Sequence, residues 1–181
     1  MNQTVYQVIG FLLQYPTRQL QEVLPEIKKE VEQVEEIDIR NYLNQFLTKC
    51  SGLSFSEWID HYIHHFDFGR TTNLYMTYLK LGEQRERGLE LLKLKKYFEA
   101  HGFEVTDREL PDFLPLVLEF CANVPPETSN DLLGMYAQEI EAIRKQIAEQ
   151  ESFYHLLLDA LVLYMKKNGL LKEPPEQLAA E

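Results

Sequence analysis

His61 and His65 stand four residues apart in the run Asp60-His61-Tyr62-Ile63-His64-His65-Phe66-Asp67. On a helix that spacing puts two imidazoles on one face, where they could grip a metal ion if a further ligand such as Asp60 or Asp67 joined them. The plainer alternative is a helix that carries its histidines beside Tyr62 and Ile63 and binds nothing. A second group is Tyr75, Tyr78, Arg85 and Arg87, arranged around Gly82. Tyrosines beside guanidinium groups can stack on and hydrogen-bond a peptide backbone or a carboxylate. The alternative here is a helix–turn–helix packed by its aromatics, with the arginines paired to Glu83, Glu86 or Glu90. A third group runs from Glu109 through Pro111, Asp112, Phe113 and Pro115 to Glu119. On a helix from Asp112 to about Asn123, apolar residues cover most of the circumference. Asp112, Pro115 and Glu119 then share one narrow polar stripe, with the two carboxylates ~10 Å apart along the axis. That separation suits contact with a bound basic segment better than acid–base chemistry on one atom. Otherwise Asp112 serves only as an N-cap and Glu119 meets only water.

These residues must be held by helices. Val5, Val8, Ile9 and Leu12 recur at helical spacing, and Pro16 ends that run. Leu20, Val23, Leu24, Ile27, Val31 and Val34 repeat the pattern, as do Ile39, Leu43, Phe46, Leu47 and Cys50. Ser54 and Glu57 read as a capping box that starts a helix burying Trp58, Tyr62 and Phe66. The run Phe66 to Gly69 breaks the pattern. A short helix follows with Leu74, Tyr75, Tyr78 and Leu79, closed by Gly82, and a longer one runs from about Glu83 towards Gly102. Thr106 and Glu109 offer a second capping box. Val124-Pro125-Pro126 ends the apolar helix, and two more are expected over about Asn130–Glu149 and Ser152–Asn168, stopped by Gly169. No segment alternates as a strand. The expected class is all-α: one helical bundle of about seven to nine helices over residues 1–171, with a flexible acidic tail over 172–181.

A length of 181 residues suits a single core, and 45% hydrophobic with 12% aromatic residues excludes a disordered chain. The formal net charge of −11 argues against a nucleic-acid-coating surface and leaves basic protein segments as partners. Cys50 and Cys121 form no CxxC pair, so neither a zinc knuckle nor a dithiol redox motif is expected. The first ten residues carry no signal-peptide pattern, and the most apolar stretch, Leu156 to Met165, is interrupted by Asp159 and too short to span a bilayer. The expected location is the cytoplasm. No GxGxxG, P-loop, GxSxG or HExxH is present.

The run from Leu74 to Gly88, followed by Gly102 to Phe120, closely resembles the NarJ branch of the TorD/DmsD family. These are cytoplasmic chaperones for molybdenum enzymes, and the resemblance is strongest over Phe66–Phe120. It implies an all-α domain with no catalysis of its own, no cofactor and no metal. It further implies binding to the N-terminal segment of the apo catalytic (alpha) subunit of respiratory nitrate reductase, which is held competent for molybdenum cofactor insertion and kept from docking early on its membrane partner. Molybdenum cofactor synthesis proteins are a further class of partner the family suggests; nucleic acid and stable membrane insertion are not. The characteristic positions map to Tyr75, Tyr78, Gly82, Arg85, Arg87 and Gly88 in one block, and to Glu109, Pro111, Asp112, Pro115 and Glu119 in the other. Members often have His where this chain has Phe113, so an apolar contact is implied there instead.

The resulting expectation is a peptide-binding site of Tyr75, Tyr78, Arg85, Arg87, Glu109, Asp112, Phe113 and Glu119. The client's apolar side chains enter a groove between helices, and Asp112, Glu119 and Glu109 meet its positive charges. The other readings are a helical adaptor with a different client and a metal protein using His61 and His65. Direct binding of the molybdenum cofactor is disfavoured, because no loop offers glycines and basic residues for its phosphates.

Overall fold

Helical periodicity in the sequence becomes helix in the computed structural model, which describes residues 3–67 and 72–171. In order these are α1 (Thr4–Leu12), α2 (Arg18–Glu22), α3 (Leu24–Val31), α4 (Ile37–Ser51), α5 (Phe55–Tyr62), a π-turn (Ile63–Asp67), α6 (Tyr78–Leu81), α7 (Arg85–Ala100), α8 (Leu114–Ala122), α9 (Pro126–Met135), α10 (Ala137–Glu149) and α11 (His155–Lys167). Among the described residues the only β-type pairing is one isolated bridge between Tyr75 and Phe113. The class is all-α, but the helices outnumber the expected seven to nine. The run from Leu20 to Val34 divides because Pro25 sits in the first turn of α3, where its missing N–H costs nothing. The expected Asn130–Glu149 helix starts earlier, at Pro126, and breaks at Tyr136, which ends α9 and opens α10. The expected tail over 172–181 lies outside the described residues, as do Phe68 to Thr71.

Helix α11 is central. Its Leu156, Leu157, Leu158, Ala160, Leu161, Val162, Tyr164 and Met165 are all buried, so it is apolar on most sides. It packs on α4 and α10, while α1 packs on α8 and also meets α11. Polar ties fix the register. The Trp58 indole N–H donates to Tyr154 Oη at 2.9 Å inside the core. Arg144 on α10 donates to Glu141 beside it and to Asp159 on α11 at 3.0 Å. The capping box of Ser54 and Glu57 forms as expected at the start of α5. No helix among the described residues is long and apolar enough to cross a membrane.

The α1–α8 contact is unusually close. A Cβ at Gly10 would lie 3.0 Å from Leu118 Cβ and 3.2 Å from the Pro115 carbonyl. Gly10→Ala is therefore expected to push the helices apart and lower stability by about 1–3 kcal/mol, read as a lower urea midpoint with unchanged slope.

Candidate peptide-binding site

Helix α8 and the segment before it organise the site. Leu114 N–H donates to Leu74 O at 2.8 Å and Met76 N–H to Asp112 O at 2.9 Å, so residues 74–76 pair with 112–114 in the Tyr75–Phe113 bridge. This pairing replaces the helix expected over Leu74–Leu79, which shrinks to Tyr78–Leu81. The helix expected from Asp112 begins at Leu114 instead, because residues 112–113 are used by the bridge. Thr106 and Glu109 make no capping box, since no helix follows them. Glu109 Oε1 instead accepts from Tyr75 Oη and from Leu110 N–H, each at 2.8 Å.

Asp112 is 0% exposed. Its Oδ2 accepts from Thr77 N–H at 3.2 Å, Thr77 Oγ1 at 2.6 Å and Arg87 Nη2 at 3.2 Å. Arg87 Nε donates to Thr77 Oγ1 at 3.2 Å. The guanidinium lies 5.8 Å from the Tyr75 ring centre and 5.3 Å from that of Tyr78, within cation–π range. A buried charge needs such partners. Asp112 thus clasps α6 and α7 to the α8 segment from behind and does not belong to a surface stripe with Glu119. Pro115 is buried as well.

In front of this clasp lies a groove of about 490 Å³, running between the end of α1, the α5 and π-turn segment, Tyr75 and α8. Tyr15, Tyr62, Phe66, Leu74, Tyr75, Phe113 and Leu116 supply its apolar walls, and Asp67, Glu109 and Glu119 supply carboxylates. Neither Lys nor Arg lines it among the described residues. The Tyr75 and Phe113 rings sit 5.2 Å apart. Burial, and then the hydrogen bond and charge of Glu109, push the Tyr75 phenol up, so it remains a proton donor. Tyr15 is 45% exposed at the rim.

The model of the family described as "Nitrate reductase delta subunit" matches residues 13–160, which contain the groove. The chain belongs to the nitrate reductase delta-subunit family. A protein of Bacillus subtilis (strain 168) named "Probable nitrate reductase molybdenum cofactor assembly chaperone NarJ" is 36% identical over 168 residues, covering 93% of this chain and 91% of that protein. The "Nitrate reductase molybdenum cofactor assembly chaperone NarJ" of Escherichia coli (strain K12) is 36% identical over 97 residues, 54% of this chain and 41% of that protein. The fold is shared with a "putative redox enzyme maturation protein" of Archaeoglobus fulgidus, at a TM-score of 0.68 and 17% identity, covering 91% of this chain and 93% of that one.

In this delta-subunit-family chain the expected site residues separate into three sets. Tyr75, Glu109, Phe113 and Glu119 line the groove together. Arg87, Tyr78 and Asp112 stand behind it in the clasp, and the arginine pairs with Asp112 rather than with Glu83, Glu86 or Glu90. Arg85 opens α7, is exposed, and is not among the groove's lining residues. The groove also uses Tyr15, Tyr62 and Phe66. Tyr62 and Phe66 read as core residues in the sequence, and Tyr15 carried no signal because it lies between helices.

The histidine pair is built into the packing. His61 Nε2 is 2.8 Å from Ser152 Oγ, and its ring centre is 4.4 Å from those of His65 and Phe153. Among the described residues no group of three or more His, Cys, Asp or Glu could hold a metal ion. Burial, then the neighbouring His65 and His64, pull the His61 pKa from 6.5 to about 4. The native state therefore refuses a proton that the unfolded state accepts. Stability carries no such penalty above pH 7, falls as pH drops from about 6.5 towards about 4, and levels off below that. Discounted for partial exposure, the loss is expected to be about 1–2 kcal/mol. Urea melts of the chain and of His61→Gln at pH 7, 5.5 and 4.5 test this. The variant should show a flatter profile, and an identical one would refute the assignment.

Proposed function

We propose that this chain is a dedicated assembly chaperone: it binds the N-terminal segment of the apo catalytic subunit of respiratory nitrate reductase and holds that subunit open for molybdenum cofactor insertion before membrane attachment. The observation that carries the reading is the groove's chemistry, an aromatic trough with Asp67, Glu109 and Glu119 on it and no lining cation among the described residues. Such a surface suits an amphipathic segment carrying basic residues. The client's apolar side chains would lie on Tyr75, Phe113 and Leu116, and its cations would meet Glu109 and Glu119. The names of the relatives support the class of client. On this reading the chain works in the cytoplasm, catalyses nothing itself and holds no resident cofactor.

A chaperone must release its client, so the expected affinity is nearer micromolar than picomolar, roughly −8 kcal/mol. Isothermal titration with a synthetic peptide from the N-terminus of the host's nitrate reductase catalytic subunit, beside a scrambled peptide, tests the reading. Saturable binding of the native peptide alone is the expected result. Equal binding of both peptides, or of neither by a folded chain, would refute it.

A further inference from the structure

A smaller chamber of about 200 Å³ lies on the other side of Leu116 and Glu119 from the groove. Its walls are Phe98, Phe103, Val105, Leu116 and Phe120. The chamber exists because of how α7 ends. Gly102 has φ +83°, and the Phe103 N–H folds back to the Phe98 carbonyl at 3.0 Å, a Schellman closure. That closure turns Phe103 inward, with its ring centre 4.9 Å from that of Phe120, while Phe98 meets Phe120 at 4.7 Å. Among the described residues the rim carries Glu104, Glu109 and Glu119 and no Lys or Arg.

Glu109, Leu116 and Glu119 line both the chamber and the groove. The two spaces are thus neighbours across a saddle that is apolar at Leu116 and acidic on either flank. From this we propose that the chamber is a specificity socket that takes one bulky apolar side chain of the bound segment, next to the basic residue held by Glu109 and Glu119. The proposal rests on the client reading above and adds to it how clients are told apart. The groove accepts any amphipathic basic segment, while the socket rejects those without a large apolar side chain at the right distance from the cation. Charge complementarity selects the occupant: three carboxylates at the rim disfavour an acidic segment and favour an apolar side chain flanked by a cation.

Val105 is half-buried on the loop after α7, so enlarging it fills the socket without entering the helical core. Val105→Trp is expected to keep the chain's circular dichroism and melting cooperativity. It is expected to weaken binding of the native client peptide roughly 10- to 100-fold, the loss for one excluded large apolar side chain. The same peptide is then made with each bulky apolar residue cut singly to alanine. One of these should bind Val105→Trp at least as tightly as the native peptide does, while binding the unaltered chain more weakly. Unchanged affinity of native peptide for folded Val105→Trp, or no trimmed peptide that binds the variant at least as tightly as the native peptide does while binding the unaltered chain more weakly, would overturn the socket while leaving the client reading standing. No binding of the native peptide to the unaltered chain would overturn both.

Discussion

Replacing Asp112 by asparagine is expected to lower stability by about 3–5 kcal/mol, because Arg87 then keeps its charge with no buried anion beside it. Asp112 is 0% exposed and the Arg87 side chain 14% exposed, at 3.2 Å. Removing either partner leaves the other charge away from water. In a chain of this size the change is expected to lower the melting temperature by roughly 6–20 °C. Arg87→Met alone should cost a similar amount, because the carboxylate would retain only its Thr77 donors. The double variant should be much less damaged than the sum of the two, since neither charge is then stranded. Differential scanning calorimetry of the four proteins measures the coupling. If Asp112 were instead a surface contact for the client, Asp112→Asn would change stability by no more than about 0.5 kcal/mol. Additive small losses would therefore contradict the clasp.

Reversing the charges at the groove, Glu109→Lys with Glu119→Lys, is expected to weaken client-peptide binding by about 2–4 kcal/mol, roughly 30- to 1,000-fold. Glu119 is exposed on α8 and makes no side-chain ion pair among the described residues, so its reversal should leave the fold intact. Glu109 also accepts from Tyr75 and Leu110, and Glu119→Lys alone separates the electrostatic effect from the loss of those hydrogen bonds. For the unaltered chain, affinity should fall as salt is raised, because opposite charges attract across a partly hydrated surface. For the double variant that slope should flatten or invert. An unchanged affinity and salt slope in a folded double variant would remove Glu109 and Glu119 from the client site. Asp112 is not a partner in this experiment, because the structure turns its carboxylate inward.

Much of the helical layout was legible from periodicity alone. The apolar spacing from Val5 to Leu12 gave α1, Ser54 with Glu57 gave the start of α5, and Gly102 marked the end of α7. These signals are local: a few side chains satisfying or terminating hydrogen bonds within one or two turns. The structure departs from that local pattern where contacts distant in sequence take precedence. Leu74 to Met76 has helical spacing, yet it gives its backbone to residues 112–114. That bridge displaced the start of α8 by two residues, and Asp112, which would have faced outward at the head of a helix, became the centre of a buried clasp. Glu109 looked like a helix-capping residue and became instead a partner of Tyr75, 34 positions away in sequence.

The sequence by itself determined the all-α class, the acidic balance, and a family resemblance carried by the residues around Tyr75, Arg87, Glu109 and Asp112. These follow from residue types and spacings that act within a turn or two of chain. Tertiary structure decided which of those residues line an open groove and which face each other. Tyr75, Phe113 and Glu119 line a groove; Asp112 and Arg87 hold its wall from behind; and the socket at Phe98, Phe103 and Phe120 appears only once α7 has folded back beside α8. The physical reason is burial. A carboxylate, a guanidinium or an aromatic ring has the same identity in either place, but its accessibility and partners depend on elements that meet only after the chain has packed.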